Sequence, residues 1–355
     1  MEEPLGMAGM LGQYVRPALV LICAMLVFNL PIVIYKIGLL KSTILYLLFC
    51  NDKKWKRTSD PGAVFGPHIS AGKPIERKKI YFVRHGESTW NDTFNKGNHR
   101  STAVFILGFL PGVVKAVLFE IYLVLSGKMD SWFYDSPLSQ VGLKQVEELA
   151  VFMERDPPET DEEIIKILRA DPGAKPSKFV CSNLRRAIST LAGGFRERLG
   201  RRKVDKILVL PCLQEMSRNP DAQSITPAHT PIQASWMEKG SKVCNFDDIL
   251  RKHVDTSLHT GNKPIRGSGY DRMIQFCKFV FSNAVREEHV IAGGHSLYFK
   301  SFFQCFLPAS VDHVAKNKKI KNGGVVCFEL MKAKTQYGDQ FMIDPASVRV
   351  IYLGF

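Results

Sequence analysis

Short apolar runs, each closed by a glycine or polar turn, recur along most of the chain. Lys79–Val83, Phe179–Cys181, Lys206–Leu210 and His289–Ala292 read as strands, and Gly324–Leu330 and Ser347–Leu353 read as late strands. Between them lie helical segments. Ser139 to Arg155 is one, and Thr160-Asp161-Glu162-Glu163 has the form of a capping box that opens a second. Ser182 to Leu199 and Tyr270 to Ala284 are two more. Pro220 to Asn262 lacks a clear period and reads as a long loop region. Alternating strands and helices predict an α/β fold, a mostly parallel central sheet with helices on both faces. The 355 residues accommodate one core of roughly 200–280 residues with appendages.

The N-terminus has a different pattern. Ala18 to Tyr35 is an uncharged run of eighteen residues interrupted by Asn29 and Pro31, and a second apolar run covers Ser42 to Cys50. A bilayer span needs about 20 such residues. The run is too long for a signal peptide, and no small-residue cleavage site follows it closely. The expectation is a single-pass membrane anchor over 1–50, a basic linker over 51–76 and a catalytic domain over 77–355. Glu2, Glu3 and Arg16 precede the run, whereas Lys36, Lys41, Lys53, Lys54, Lys56 and Arg57 follow it. The positive-inside rule then puts the domain in the cytosol.

A second apolar stretch interrupts the domain within an insertion at about 92–134. Ser101 to Leu125 is mostly apolar, with Pro111-Gly112 at its middle and the charges Lys115 and Glu120. Those charges argue against a full span. The pattern predicts a hydrophobic helical hairpin bent at Pro111-Gly112. It would either be buried as a lid or dip into a membrane beside the site.

Four strand ends carry chemistry. The first strand runs into Arg84-His85-Gly86-Glu87, then Ser88-Thr89-Trp90-Asn91. The second leads to Ser182-Asn183-Leu184-Arg185-Arg186-Ala187, the third to Leu213-Gln214-Glu215, and the fourth to Gly293-Gly294-His295-Ser296. Open α/β sheets bind ligands at the carboxyl ends of their strands. Arginine offers a planar fork that matches phosphate oxygens, histidine can attack phosphorus, and glutamate can donate a proton. Each motif alone would be an ordinary turn, capped helix or solvated carboxylate.

Taken in order, the four motifs resemble the histidine phosphatase superfamily, the phosphoglycerate mutase-like fold. Asp135-Ser136-Pro137-Leu138-Ser139, with Gly142 and Gln145, is a fifth matching element. The resemblance runs from about Lys78 to Phe355, the insertion excepted. It implies that His85 forms a phosphohistidine, that Arg84, Arg186 and His295 hold the phosphate oxygens, and that Glu215 protonates the leaving oxygen. Ser88, Asn91 and Ser296 would contact substrate. The acid phosphatase branch has aspartate after its second histidine. Ser296 stands there in this chain, which leaves Glu215 as the acid. The sequence after Asn91 departs from the mutase pattern and favours a phosphatase. A mutase, or a non-catalytic membrane scaffold of the same fold, is the alternative.

Composition adds two points. The net charge of +14 is concentrated in Lys53–Arg57, Arg196–Lys206 and Lys316–Lys321. No nucleic-acid motif with interleaved aromatics accompanies these clusters, so anionic lipid is the expected partner. The eight cysteines and nine histidines form no metal-ligand pattern and no disulfide framework, so no metal or cofactor is expected. The substrate class stays open among small phosphorylated molecules, phosphoproteins and lipid phosphates.

Overall fold

The computed structural model describes residues 7–57, 59–97, 100–156, 158–336 and 338–355, with side chains from 15 onward. Glu2 and Glu3, part of the charge argument above, lie outside the described residues. Eight strands form one sheet among the described residues. They are β1 (Glu76–Arg84), β2 (Ser177–Cys181), β3 (Ile207–Val209), β4 (Val254–Asp255), β5 (His289–Gly294), β6 (Val325–Thr335), β7 (Gly338–Ile343) and β8 (Arg349–Tyr352). The order is β4-β3-β2-β5-β1-β6-β7, with β8 paired to β6. The run from β4 to β1 is parallel, and β6 is antiparallel to β1, β7 and β8. The sheet is therefore parallel on the side that carries the motifs and antiparallel beyond it.

Side-chain alternation splits the core into two layers. Tyr81 and Val83 of β1 face one way, with Phe179 and Cys181 of β2, against the helices Gln140–Glu154 and Arg185–Gly194. Ile80 and Phe82 face the other way, against the helices Gly269–Val280 and Ser296–Phe306. Phe82 anchors that second layer, with its ring stacked on Phe299 at 4.0 Å and edge-on to Phe328 at 4.9 Å. Each parallel strand thus delivers its last residue to one edge of the sheet.

Several local expectations change. The capping box does not form. Thr160 lies within a 3₁₀ turn, Glu159–Asp161, so the helix Glu162–Arg169 starts one residue later with Asp161 at its N-cap, whose carboxylate pairs with Arg349 and makes no cap bond. The supposed loop 220–262 contains the helices Trp236–Lys239 and Phe246–His253, the latter buried through Phe246, Leu250 and His253. Two turns are too short for their period to stand out in sequence. Strand β7 lies outside the strands expected from sequence. It completes a hairpin with β6 that covers Phe65 of the helix Pro61–Ser70, so the basic stretch 51–76 is folded onto the domain.

The apolar segments differ most. Ala18–Tyr35 is not one span, because helix Met7–Phe28 ends at Asn29 and helix Leu30–Phe49 begins there. The Asn29 amide donates to the carbonyls of Met25 and Leu125, at 2.9 and 2.8 Å, and so binds the joint to the insertion. The insertion is a single helix, Thr102–Leu125, with Pro111 inside it and Ser101 as its N-cap. At 1.5 Å per residue it is about 36 Å long. Its two charges lie on the inner face. Lys115 sits over the Trp132 ring, and Glu120 binds Lys36, Ser131 and the Trp132 backbone N–H. They therefore do not interrupt the outer face, where Leu107 is 78% exposed. Leu30–Phe49 and Thr102–Leu125 are both long and apolar enough to cross a membrane.

Candidate active site

The motif turn after β1 is fixed by backbone contacts. His85 N–H donates to Gly294 O at 3.1 Å, and Gly86 N–H donates to the Thr190 hydroxyl at 3.0 Å. Helix Gln140–Glu154 starts hard against this turn. A Cβ on Gly142 would lie 2.0 Å from Glu87 O, and one on Gly86 would lie 2.8 Å from Gly142 O. Both positions exclude a side chain by close approach. Ser139 N–H donates to Glu87 O at 2.8 Å, and Gln145 accepts from Glu87 N–H at 2.8 Å. The Asp135–Gln145 element, noticed in sequence only through resemblance, is thus the clamp on the histidine turn.

A cleft of about 420 Å³ opens above the turn. Arg84, His85, Asn91, Arg186, Glu215 and Ser296, all expected from sequence, line it. His295 is fully buried beneath, with its ring centroid 5.0 Å from that of His85. Ser88 is not a wall residue, because its hydroxyl accepts from Asn91 N–H at 3.2 Å and caps the helix Thr89–Phe94. Asp221, Lys319 and Asn322 also line the cleft and were not expected. Asp221 sits in the stretch read as featureless loop. Lys319 sits in a cluster read as surface charge. Only the fold brings them to the cleft.

The histidines are tuned by burial. His85 Nδ1 hydrogen-bonds Gly86 O, which fixes the tautomer with Nδ1 protonated and leaves the Nε2 lone pair free. Burial, then the Arg186 and Arg84 charges, hold His85 well below the ordinary histidine pKa. His295 is held low in the same way, first by burial and then by Arg186, and its Nε2 is 2.8 Å from the Ser182 hydroxyl. Its Nδ1 has no hydrogen-bond partner among the described residues.

The cations are held from behind. Arg84 Nη1 donates to Ile320 O at 2.5 Å, and burial lowers the group to about 10. Arg186 donates through Nη1 to Asp221 O at 2.8 Å and pairs through Nη2 with the Asp221 carboxylate at 3.3 Å. Both Nε groups are buried, with no hydrogen-bond partner among the described residues. Burial pushes Asp221 up to about 6 despite Arg186. Glu215 faces the start of helix Ser296–Phe306. Its carboxylate accepts from the N–H groups of Met216 at 2.8 Å, Tyr298 at 3.1 Å and Leu297 at 3.4 Å. Among the described residues no cluster of His, Cys, Asp and Glu could hold a metal ion.

The sheet carries the four motifs along one edge, the arrangement expected of the phosphoglycerate mutase-like fold. No family model matches the chain, and no curated protein matches it. Among solved structures it is similar to a mycobacterial glucosyl-3-phosphoglycerate phosphatase, at 14% identity and TM-score 0.36, covering 75% of this chain and 97% of the other. It is also similar to a putative alpha-ribazole-5'-P phosphatase from Escherichia coli, at 12% identity and TM-score 0.34, covering 75% and 95%. A phosphoserine phosphatase from Entamoeba histolytica matches at 12% identity and TM-score 0.31, covering 78% and 96%. The functional reading is carried by the chain's own side chains.

The depressed basicity of His85 gives a direct prediction. Its ring should stay neutral as pH falls through 6.5, and take its proton only well below that. In the free full-length protein with labelled histidine, the Nε2 resonance that disappears in His85→Ala should keep its unprotonated shift at pH 6. A titration midpoint at or above 6.5 would contradict the burial argument.

Proposed function

We propose that the chain is a metal-independent phosphomonoesterase that works through a phosphohistidine on His85. The observation that carries this is the placement of His85, its Nδ1 tied back to Gly86 and its basicity held low by burial and the Arg186 and Arg84 charges, in one cleft with Arg84, Arg186 and Glu215. In the first step the Nε2 lone pair of His85 forms the P–N bond as the ester P–O bond breaks. Glu215 gives its proton to the departing oxygen. In the second, water attacks phosphorus, its proton passes to Glu215, the P–N bond breaks and phosphate leaves. Arg84, Arg186 and His295 hold the equatorial oxygens, where charge gathers. Asn91 and Ser296 line the cleft and serve as substrate contacts, with Lys319 and Asn322 as additions. Ser88 acts indirectly, through the cap that orients Asn91.

We further propose that the enzyme works at a membrane, with the domain on the cytosolic side. The apolar helices do not rise freely from the domain. Leu30–Phe49 is tied along its length, with Tyr35 donating to Ile225 O at 2.6 Å and Thr43 accepting from Gln223 at 2.8 Å. Thr102–Leu125 packs through Phe109 on Phe94 and through Phe119 on Trp132 and Trp236. Their outer faces remain apolar and exposed, as an interfacial flank requires. Lys53, Lys54 and Lys56 are exposed just past the first of these helices, where anionic headgroups would attract them. Trp90, a wall residue of the cleft, packs in a tilted pair at 4.3 Å on Phe94, which leads to Phe109. That aromatic path favours a phosphomonoester with an apolar tail.

Two outcomes follow. His85→Ala should abolish hydrolysis across a panel of phosphomonoesters. Glu215→Gln should slow esters with poor leaving groups by about 10²-fold or more; wild-type rates in His85→Ala would refute the mechanism. Leu107→Asp with Leu110→Asp, both exposed on the outer face, should weaken binding of the full chain to anionic liposomes and reduce hydrolysis of a lipid phosphate. Turnover of soluble p-nitrophenyl phosphate should stay within about twofold. Unchanged liposome binding would sink the membrane reading of this helix.

A further inference from the structure

Behind Glu215 lies a buried charge cluster that the chemistry above does not use. Asp52 follows helix Leu30–Phe49 by three residues and is 2% exposed. Its carboxylate takes Arg272 Nη2 at 2.8 Å on both oxygens and is ion-paired with Lys263. Each cation also grips backbone. Arg272 Nη1 donates to Cys212 O at 3.2 Å and Gln214 O at 2.6 Å. Lys263 Nζ donates to Glu215 O at 2.6 Å and Ser217 O at 2.7 Å. The strand-end segment that carries Glu215 is therefore held by two buried cations, balanced by one carboxylate from the N-terminal region. Among the described residues no other carboxylate is within ion-pair distance of either cation. Tyr46, on the last turn of the same helix, donates its hydroxyl to Lys263 O.

We infer that Asp52 is a positioning residue for the active site, and that the membrane-proximal segment is a working part of the catalytic unit rather than a tether. This rests on Glu215 being the proton donor. Without the Asp52 charge, Lys263 and Arg272 repel each other in a site that water reaches poorly. Each must then draw water or move, and either response loosens its grip on the carbonyls of 212–217. A shift of about 1 Å at an acid–base group can cost ~10²-fold in rate. A domain that begins at Arg77 lacks Asp52 and Tyr46, and would carry this defect even where no membrane is needed.

The test uses the full chain in lipid nanodiscs and compares kcat/KM for phenyl phosphate with that for p-nitrophenyl phosphate, whose leaving group scarcely needs a proton. Asp52→Asn removes the charge alone. Asp52→Asn with Lys263→Gln keeps the cluster's net charge while releasing the Glu215 carbonyl, and serves where the single variant does not fold. Either variant should lower phenyl phosphate turnover at least ~tenfold more than p-nitrophenyl phosphate turnover, and Asp52→Glu should recover part of the difference. Placed on Glu215→Gln, the double change should add no further selective loss. Equal losses on both esters, no loss, or full additivity with Glu215→Gln would overturn the positioning role. If Glu215→Gln itself affects both esters equally, the proton-donor reading fails first, and this inference falls with it.

Discussion

The close passage of Gly86 and Glu87 across Gly142 is the contact on which the rest of the site depends. With a 2.0 Å clearance to any Cβ at Gly142, the histidine turn and the start of helix Gln140–Glu154 can only be packed backbone to backbone. That packing aims His85 at the cleft and leaves Gly86 O placed to receive its Nδ1 proton. The hydrogen bonds of Ser139, Gln145 and Thr190 then hold a turn that would otherwise be an ordinary loop. The tautomer, and with it the free nucleophilic lone pair, is a consequence of main-chain geometry.

Around that turn the molecule concentrates buried charge. Arg84, Arg186, Glu215 and Asp221 share one cleft, and each is held by backbone or by an opposite charge from the side away from the opening. Burial is what makes this costly, and also what makes it useful. It holds the basicity of His85 low beside two guanidinium groups, and it leaves buried N–H donors whose best partner is an anion. The Asp52 cluster extends the same design one layer outward, into residues that follow the apolar helices.

The strand-end motifs were legible because a parallel sheet converts sequence order into spatial convergence. His85, Arg186, Glu215 and His295 each follow a short apolar strand, so their assembly could be anticipated from residue order. What could not be read depended on packing between distant segments. Asp221 and Lys319 carry no local signature, and Ser88 looks like a ligand but is consumed by a helix cap. Pro111-Gly112 looks like a hinge but lies within a continuous helix. Lys115 and Glu120 look like barriers to an apolar helix, yet both are satisfied on its inner face. The eighteen-residue apolar run hid its break at Asn29, because the carbonyl that stabilises the break, Leu125 O, lies nearly a hundred residues away.

The central claim is that phosphorus passes through a covalent bond to His85. Stereochemistry at phosphorus tests it most directly. A phosphomonoester made chiral with oxygen isotopes would be cleaved in the presence of an alcohol acceptor, and the configuration of the transferred phosphoryl group read by phosphorus NMR. Two in-line displacements, one by His85 and one by the acceptor, predict overall retention. Inversion would mean a single direct displacement, and would contradict the account.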